Sequence, residues 1–153
     1  MSYTKSFKNR NANRVGENKA EEYYKSKNIF IERYGLDLLD SGLSIGDFCK
    51  IPEIIRNTPD YIAINDGFAF VEAKAFKGEY LRLKLCDMES YYFWSGLGGF
   101  VFYIYSIQHQ MGTQIRYENM MKLINENDYK IEKYKDNGKE FYLVPWIDLC
   151  VRG

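Results

Sequence analysis

Helical and extended segments alternate along this chain in the order αβββαβαββ, which predicts an α/β or mixed α+β domain with a mixed central sheet of about five strands. Three observations carry that expectation. Asn65-Asp66-Gly67 and Asp136-Asn137-Gly138 are tight-turn signals, each set between runs rich in apolar, β-branched and aromatic residues. An Ala-, Glu- and Lys-dense segment without Gly or Pro follows Gly16. A continuous apolar run near residue 100 has the composition of a buried strand.

The elements follow in order. Residues 13–27 form the first helix. Residues 29–39 look extended, and Asp40-Ser41-Gly42 ends them. Residues 46–58 are a loop with one helical turn around Glu53–Arg56. Tyr61–Ile64 and Phe68–Phe76 are two strands joined as a hairpin. Leu81, Leu85, Met88 and Tyr92 recur at helical spacing and predict an amphipathic helix over residues 79–94. Residues 100–107 are a strand, residues 116–125 a helix, and residues 129–135 with 140–144 a second, C-terminal hairpin. Residues 15–153 are read as a single domain. Residues 1–14 are a basic, flexible arm carrying Lys5, Lys8, Arg10 and Arg14 and no acid.

Composition narrows the function classes. A chain of 153 residues, 46% apolar and 17% aromatic, can bury a sizeable core. Zero net charge with 27% charged residues argues against a surface that coats nucleic acid indiscriminately, though not against a local positive groove. Cys49, Cys86 and Cys150 are odd in number and lack CxxC pairing, so reduced, mostly buried thiols in a cytoplasm are expected. The longest apolar run, residues 98–107, is about half what a membrane span needs, and no segment reads as a signal peptide.

Chemistry concentrates in Phe70-Val71-Glu72-Ala73-Lys74. Side chains alternate across a strand, so Phe70, Glu72 and Lys74 share one face while Ala69, Val71 and Ala73 share the other. The hairpin then brings Asp60, just before the preceding strand, toward Glu72 and Lys74. Hard oxygen ligands from two strands suit Mg²⁺, with Mn²⁺ as substitute, and the neighbouring lysine can polarise a water or stabilise a phosphate. A Glu-x-Lys pair on a strand is most often a surface ion pair. Here the strand is apolar on both faces, as a central strand is, and unpaired charge there is costly.

Pro59-Asp60 followed by Glu72-Ala73-Lys74 resembles the signature of the PD-(D/E)XK nuclease superfamily. Gly16-Glu17-Asn18-Lys19-Ala20 is similar to the Gly-Glu-x-x-Ala helix opening of its small members, Holliday junction resolvases and restriction endonucleases among them. The resemblance spans residues 16–107 and implies the restriction-endonuclease-like αβββαβ core. It implies Asp60 and Glu72 as metal ligands with the Ala73 backbone carbonyl as a third, Lys74 as the water-positioning residue and Glu17 as an accessory acid. Lys84, Asp87 and Tyr91 fall where many members place polar residues that support the site, although the usual glutamine is not evident. The activity implied is Mg²⁺-dependent endo- or exodeoxyribonuclease cleavage of DNA, of a structure-selective, recombination or repair type. Lys5, Lys8, Arg10, Arg14 and Lys77 are the candidate DNA contacts, and junction cutting, which needs two sites, would take a homodimer.

Glu17, Ala20 and Tyr24 form a stripe that could face the sheet, which favours Glu17 over Glu21, and a solvated helix start accounts for either acid equally simply. With His109 as the single histidine, His-based nuclease sites and typical zinc hydrolase sites are excluded. Gly96-Leu97-Gly98-Gly99 lacks the lysine of a phosphate loop, and Tyr91, Tyr92, Phe93 and Trp94 read as core packing rather than a base-stacking platform. The competing function class is a catalytically inactive nucleic-acid-binding or protein-interaction module on the same fold.

Overall fold

The strand that carries the Glu-x-Lys pair is the centre of the architecture. The computed structural model describes the backbone of residues 3–36 and 42–152 and the side chains of residues 14–36 and 42–151. Along the chain run α1 (Tyr3–Ser26), β1 (Phe30–Arg33), α2 (Ile45–Cys49), α3 (Glu53–Arg56), β2 (Tyr61–Ile64), β3 (Phe68–Phe76) and β4 (Tyr80–Lys84). A 3₁₀ turn (Leu85–Asp87) leads into α4 (Met88–Ser95), β5 (Gly99–Ser106), β6 (Met111–Arg116), α5 (Tyr117–Glu126), β7 (Ile131–Lys133), β8 (Glu140–Pro145) and α6 (Trp146–Arg152).

The main sheet has five strands in the order β1-β2-β3-β5-β6. β3 is antiparallel to β2, with Tyr61 opposite Val71, and parallel to β5, with Glu72 opposite Phe102. This is the mixed sheet and the helix–three-strand–helix–strand core that the sequence predicts. Its two faces are covered differently. α1 lies over Tyr61, Ala63, Val71, Ala73 and Tyr103 through Ala20 and Tyr24. Gly16 permits the approach, because a Cβ there would come within 3.0 Å of the Lys74 carbonyl carbon and 3.1 Å of the Ala75 nitrogen. The opposite face buries Phe70, Phe76, Phe100, Phe102 and Ile104 against Tyr91, Trp94, Leu81 and Leu83.

The segment 79–94 is not one helix. Gly78, at φ 82°, reverses the chain after β3. The next five residues are extended as β4, with Leu81 and Leu83 buried and Tyr80 and Arg82 exposed. Helix begins only at Met88. The alternation of period 2 wins over the period 3.6 because β8 pairs with β4 along its whole length, Leu81 opposite Val144 and Leu83 opposite Tyr142. β7 completes this second, three-stranded sheet in the order β4-β8-β7, so the predicted C-terminal hairpin forms and gains a partner.

Three further elements depart from expectation. α1 begins at Tyr3, so the backbone of the basic arm is helical from that point. The side chains of Lys5, Lys8 and Arg10 lie outside the described residues, as do residues 37–39 of the segment read as extended and Asp40 and Ser41 that end it. β6 and α6 were not legible. β6 is a polar edge strand whose Gln114 accepts from the Tyr24 hydroxyl at 2.6 Å and donates to that of Tyr23 at 2.9 Å. The three cysteines are exposed rather than buried, because each falls on a short peripheral element: α2, the 3₁₀ turn and α6. Among the described residues no helix is long and apolar enough to cross a membrane.

Candidate active site

β2 begins at Tyr61, and extending its register by one residue sets Asp60 opposite Glu72. Beyond that point β3 has no ladder partner on the β2 side among the described residues, so the Ala73 amide would be orphaned. The Asp60 carboxylate accepts it instead, with Oδ2 2.9 Å from the nitrogen. Within a strand residue the N–H and C=O project to the same side, so the Ala73 carbonyl faces the same cleft. The backbone of Asp60 is itself fixed, its carbonyl accepting from the amides of Tyr34 at 2.9 Å and Gly35 at 3.1 Å. Gly35 fits because a Cβ would lie 3.0 Å from the Pro59 oxygen.

Glu72, flanked by β2 and β5, is 9% exposed. Burial, and after it the adjacent Asp60 carboxylate, pushes its carboxyl well above the usual range, while Lys74 works the other way. Burial would lower the Lys74 ammonium, but its hydrogen bond to the Tyr91 oxygen, with Glu72 and Asp87, outweighs burial and raises the group well above its usual range. Its Nζ sits 5.7 Å from the centre of the Tyr91 ring. Tyr91 is itself held in place by Phe100 and Phe102, with ring centres 5.7 and 5.1 Å away, and burial keeps its phenol neutral. Asp87 acts on Glu72, Lys74 and Lys84 together. The Lys84 ammonium is lowered by burial, with Lys74 and Lys139 adding to the effect and Asp87 opposing it.

Asp60, Glu72, Lys74 and Tyr91 thus lie together, with Asp87 and Lys84 within electrostatic reach of them. Lys84, Asp87 and Tyr91 arrive there from a strand end, a 3₁₀ turn and a helix, not from one helical stripe. Lys77 is exposed in the turn after β3, and Arg14 is exposed on α1.

The helix acids are placed elsewhere. Tyr61 pairs with Val71 and Arg33 with Tyr61, so all three stand on the α1 face of the sheet, opposite to Glu72. Glu17 accepts from both Arg33 amino groups, at 2.9 and 3.4 Å, and Arg33 also donates to the Tyr61 hydroxyl at 3.3 Å. Burial, with Glu21 and Glu17 adding their negative charge, pushes the Tyr61 phenol up. The acids that act most on Glu72 are Asp60 and Asp87. Among the described residues no three His, Cys, Asp or Glu side chains cluster as a metal cage.

His109 stacks on Trp146 with ring centres 6.2 Å apart and is away from these groups. Of the aromatic run after Ser90, Tyr91 and Trp94 are core while Tyr92 and Phe93 are exposed, as i and i+3 positions share the inward face. The sequence reading missed the second sheet's contribution, Arg82, Tyr134 and Lys139. Its one local signal was the Tyr80-Leu81-Arg82-Leu83-Lys84 alternation.

No family model matches the chain, and no curated protein matches it. Among solved structures it is similar to a nuclease from a fusselovirus, with 13% identity over 94% of this chain and 84% of that one, at a TM-score of 0.48.

Proposed function

We propose that the protein is a divalent-metal-dependent deoxyribonuclease of the PD-(D/E)XK type. The observation that supports this reading best is the meeting of Asp60 and the buried Glu72 with the protonated Lys74 on one face of a central strand. Two adjacent carboxylates, one of them nearly dry, disfavour the folded state unless something positive joins them. Asp60 and Glu72 fit Mg²⁺ or Mn²⁺, which take one or two carboxylates and keep several waters, and the Ala73 carbonyl is a third oxygen on the same side. Bound there, such an ion would supply Lewis-acid activation of water and neutralise charge on a phosphodiester.

The chain's own residues do the rest. Lys74 presents ammonium donors to a water or a phosphate oxygen, and Tyr91 limits where that ammonium can point. Asp87 balances the positive charge of Lys74 and Lys84, which would otherwise repel each other. In this reading Glu17 is a positioning residue: it holds Arg33, next in the chain to the Tyr34–Gly35 amides that fix Asp60. Two-site cutting of a branched substrate would take a homodimer. The exposed register column of Phe30, Ile64 and Phe68 is apolar surface that such a dimer would bury.

The test is a titration of Mg²⁺ and Mn²⁺ against linear, single-stranded, nicked and four-way DNA, with wild type and Lys74→Ala. Wild type should cut with either ion and not in chelator. Lys74→Ala should lose about a hundredfold or more in rate with DNA affinity largely kept, because a donor aimed at developing charge acts mainly in the transition state. Undiminished cutting by Lys74→Ala would remove the lysine from the mechanism. DNA binding without metal-dependent cleavage would leave the fold as an inactive binding module.

A further inference from the structure

The second sheet turns its inner face, Leu81, Leu83 and Val144, to the core. What its outer face does is not explained by packing. Arg82 and Lys84 both project from that face, two residues apart, with the Tyr134 ring between them. The Arg82 guanidinium lies 5.7 Å from the centre of that ring and 5.1 Å from that of Phe141, and the Lys84 Nζ lies 5.7 Å from the Tyr134 ring. Tyr134 is locked in turn. Its ring sits 4.4 Å from Phe141, and its amide donates to the Lys139 carbonyl at 3.0 Å. Lys139, exposed at the β7–β8 turn, is close enough to act on Lys84.

Among the described residues none of Arg82, Lys84 and Lys139 is in an ion pair. The one acid of the outer face on β7, Glu132, is engaged by Lys130 at 3.1 Å. Two cations against one ring, with Lys139 within reach of Lys84, repel each other, and an anion relieves them. The cluster also runs directly into the carboxylate site. Lys84 is three residues from Asp87, and Lys74 and Asp87 both reach Tyr134 electrostatically. Alternate residues of a strand stand about 6.8 Å apart, comparable to the separation of successive phosphates along a nucleic-acid strand.

We propose that Arg82, Lys84, Lys139 and Tyr134 form a DNA-backbone subsite that holds the phosphates flanking the one presented to Asp60, Glu72 and Lys74. This rests on reading that centre as a nuclease site, and it assigns the substrate contact to the second, three-stranded sheet. Arg82 and Lys84 carry the phosphates, Lys139 extends the track over the hairpin turn, and Tyr134 keeps the first two cations apart and oriented.

The experiment measures equilibrium binding, which separates the subsite from the chemistry. A labelled duplex and its single strand are titrated by fluorescence anisotropy in chelator, at several salt concentrations, with wild type, Arg82→Gln, Lys139→Gln and Tyr134→Phe. Each Gln variant should weaken binding severalfold. Each should also flatten the slope of log affinity against log salt by about 0.9 on duplex or about 0.7 on single strand, the signature of one lost phosphate contact. Tyr134→Phe keeps the ring and every cation but loses the hydroxyl that accepts from Arg82, so it should leave the slope unchanged. The Arg82 guanidinium packs on Phe141, so a thermal melt checks that Arg82→Gln is folded, while Lys139→Gln removes only an exposed turn side chain.

Wild-type affinity and slope in folded Gln variants would overturn the proposal. So would lost affinity with an unchanged slope, absence of salt-dependent binding by wild type, or equal displacement of DNA by polyglutamate at matched charge. Binding that shows the predicted slopes without any cleavage in Mg²⁺ would keep the subsite and overturn the nuclease reading alone. Metal-dependent cleavage whose kcat/KM is unaffected by either Gln variant would do the reverse.

Discussion

Replacing Asp60 separates what its charge does from what its hydrogen bond does. The carboxylate accepts the Ala73 amide at 2.9 Å, and its negative charge also acts on the buried Glu72. Asparagine keeps an acceptor oxygen for that amide and removes the charge. Alanine removes both, and leaves an amide of a residue 3% exposed without a partner. An orphaned buried donor costs about 1–3 kcal/mol. For a domain of this size each kcal/mol is worth roughly 2–4 °C in melting temperature, so Asp60→Ala should melt about 2–12 °C below wild type. Asp60→Asn should melt at or above wild type in chelator, because the repulsion it removes is not offset by a lost bond.

A divalent ion inverts the order. At ten times its dissociation constant it would add about 1.4 kcal/mol to wild type, or roughly 3–6 °C, and little to either variant. The assay is thermal melting of the three proteins in chelator and in millimolar Mn²⁺. Equal losses for Asp60→Asn and Asp60→Ala in chelator would show that the charge is not repulsive, and the strained-pair argument would fail. Identical wild-type melting in both buffers would remove the cation site.

Glu17→Gln and Arg33→Gln should behave alike, each lowering stability slightly and cleavage less than tenfold, since the two side chains act as one pair on the α1 face; a tenfold or greater loss from Glu17→Gln with Arg33→Gln still active would instead put Glu17 in the chemistry. Gly16→Ala should destabilise by about 1–3 kcal/mol in denaturant melts despite its better helix propensity, because the new methyl meets β3 backbone at 3.0 Å, and unchanged or raised stability would mean that α1 can shift away freely. The raised carboxyl of Glu72 means that the folded protein keeps a proton the unfolded chain loses near pH 4.3 or so. Metal-free stability should therefore fall as pH rises from there through the raised value. Mn²⁺ affinity, measured calorimetrically, should tighten about tenfold per pH unit below that value and level off above it, whereas a pH-independent affinity would exclude Glu72 as a ligand.

The parts of this fold that were legible are those whose information is local. Asn65-Asp66-Gly67 forces a turn, the turn fixes the β2–β3 register, and the register alone sets Asp60 opposite Glu72. Nothing outside residues 59–76 is needed for that. The apolar flanks of Glu72 also announce a central strand, which is what makes its charge costly. The exposure of the three cysteines was not legible, because it depends on peripheral helices whose positions no local pattern sets.

Residues 79–94 show where local information fails. Leu81, Leu85, Met88 and Tyr92 satisfy a helical period, while Leu81 and Leu83 satisfy a strand period, and a short window cannot choose between them. The choice is made by β8, some sixty residues later, which pairs with every residue of β4. The outcome matters for the site, since extended backbone turns Arg82 and Lys84 to the face where Tyr134 and Phe141 wait, and a helix would have scattered them. The partner of Glu17 was not legible for a related reason. A buried stripe says that a helix face meets a sheet, but not which side of the sheet. Gly16 seats α1 against Lys74 and Ala75 from the side of Val71 and Ala73, and so sends Glu17 to Arg33. The charges that gather around Glu72 and Lys74 come from the β4–α4 side, where Asp87 and Lys84 enter from a segment that the sequence alone would have drawn as a single helix.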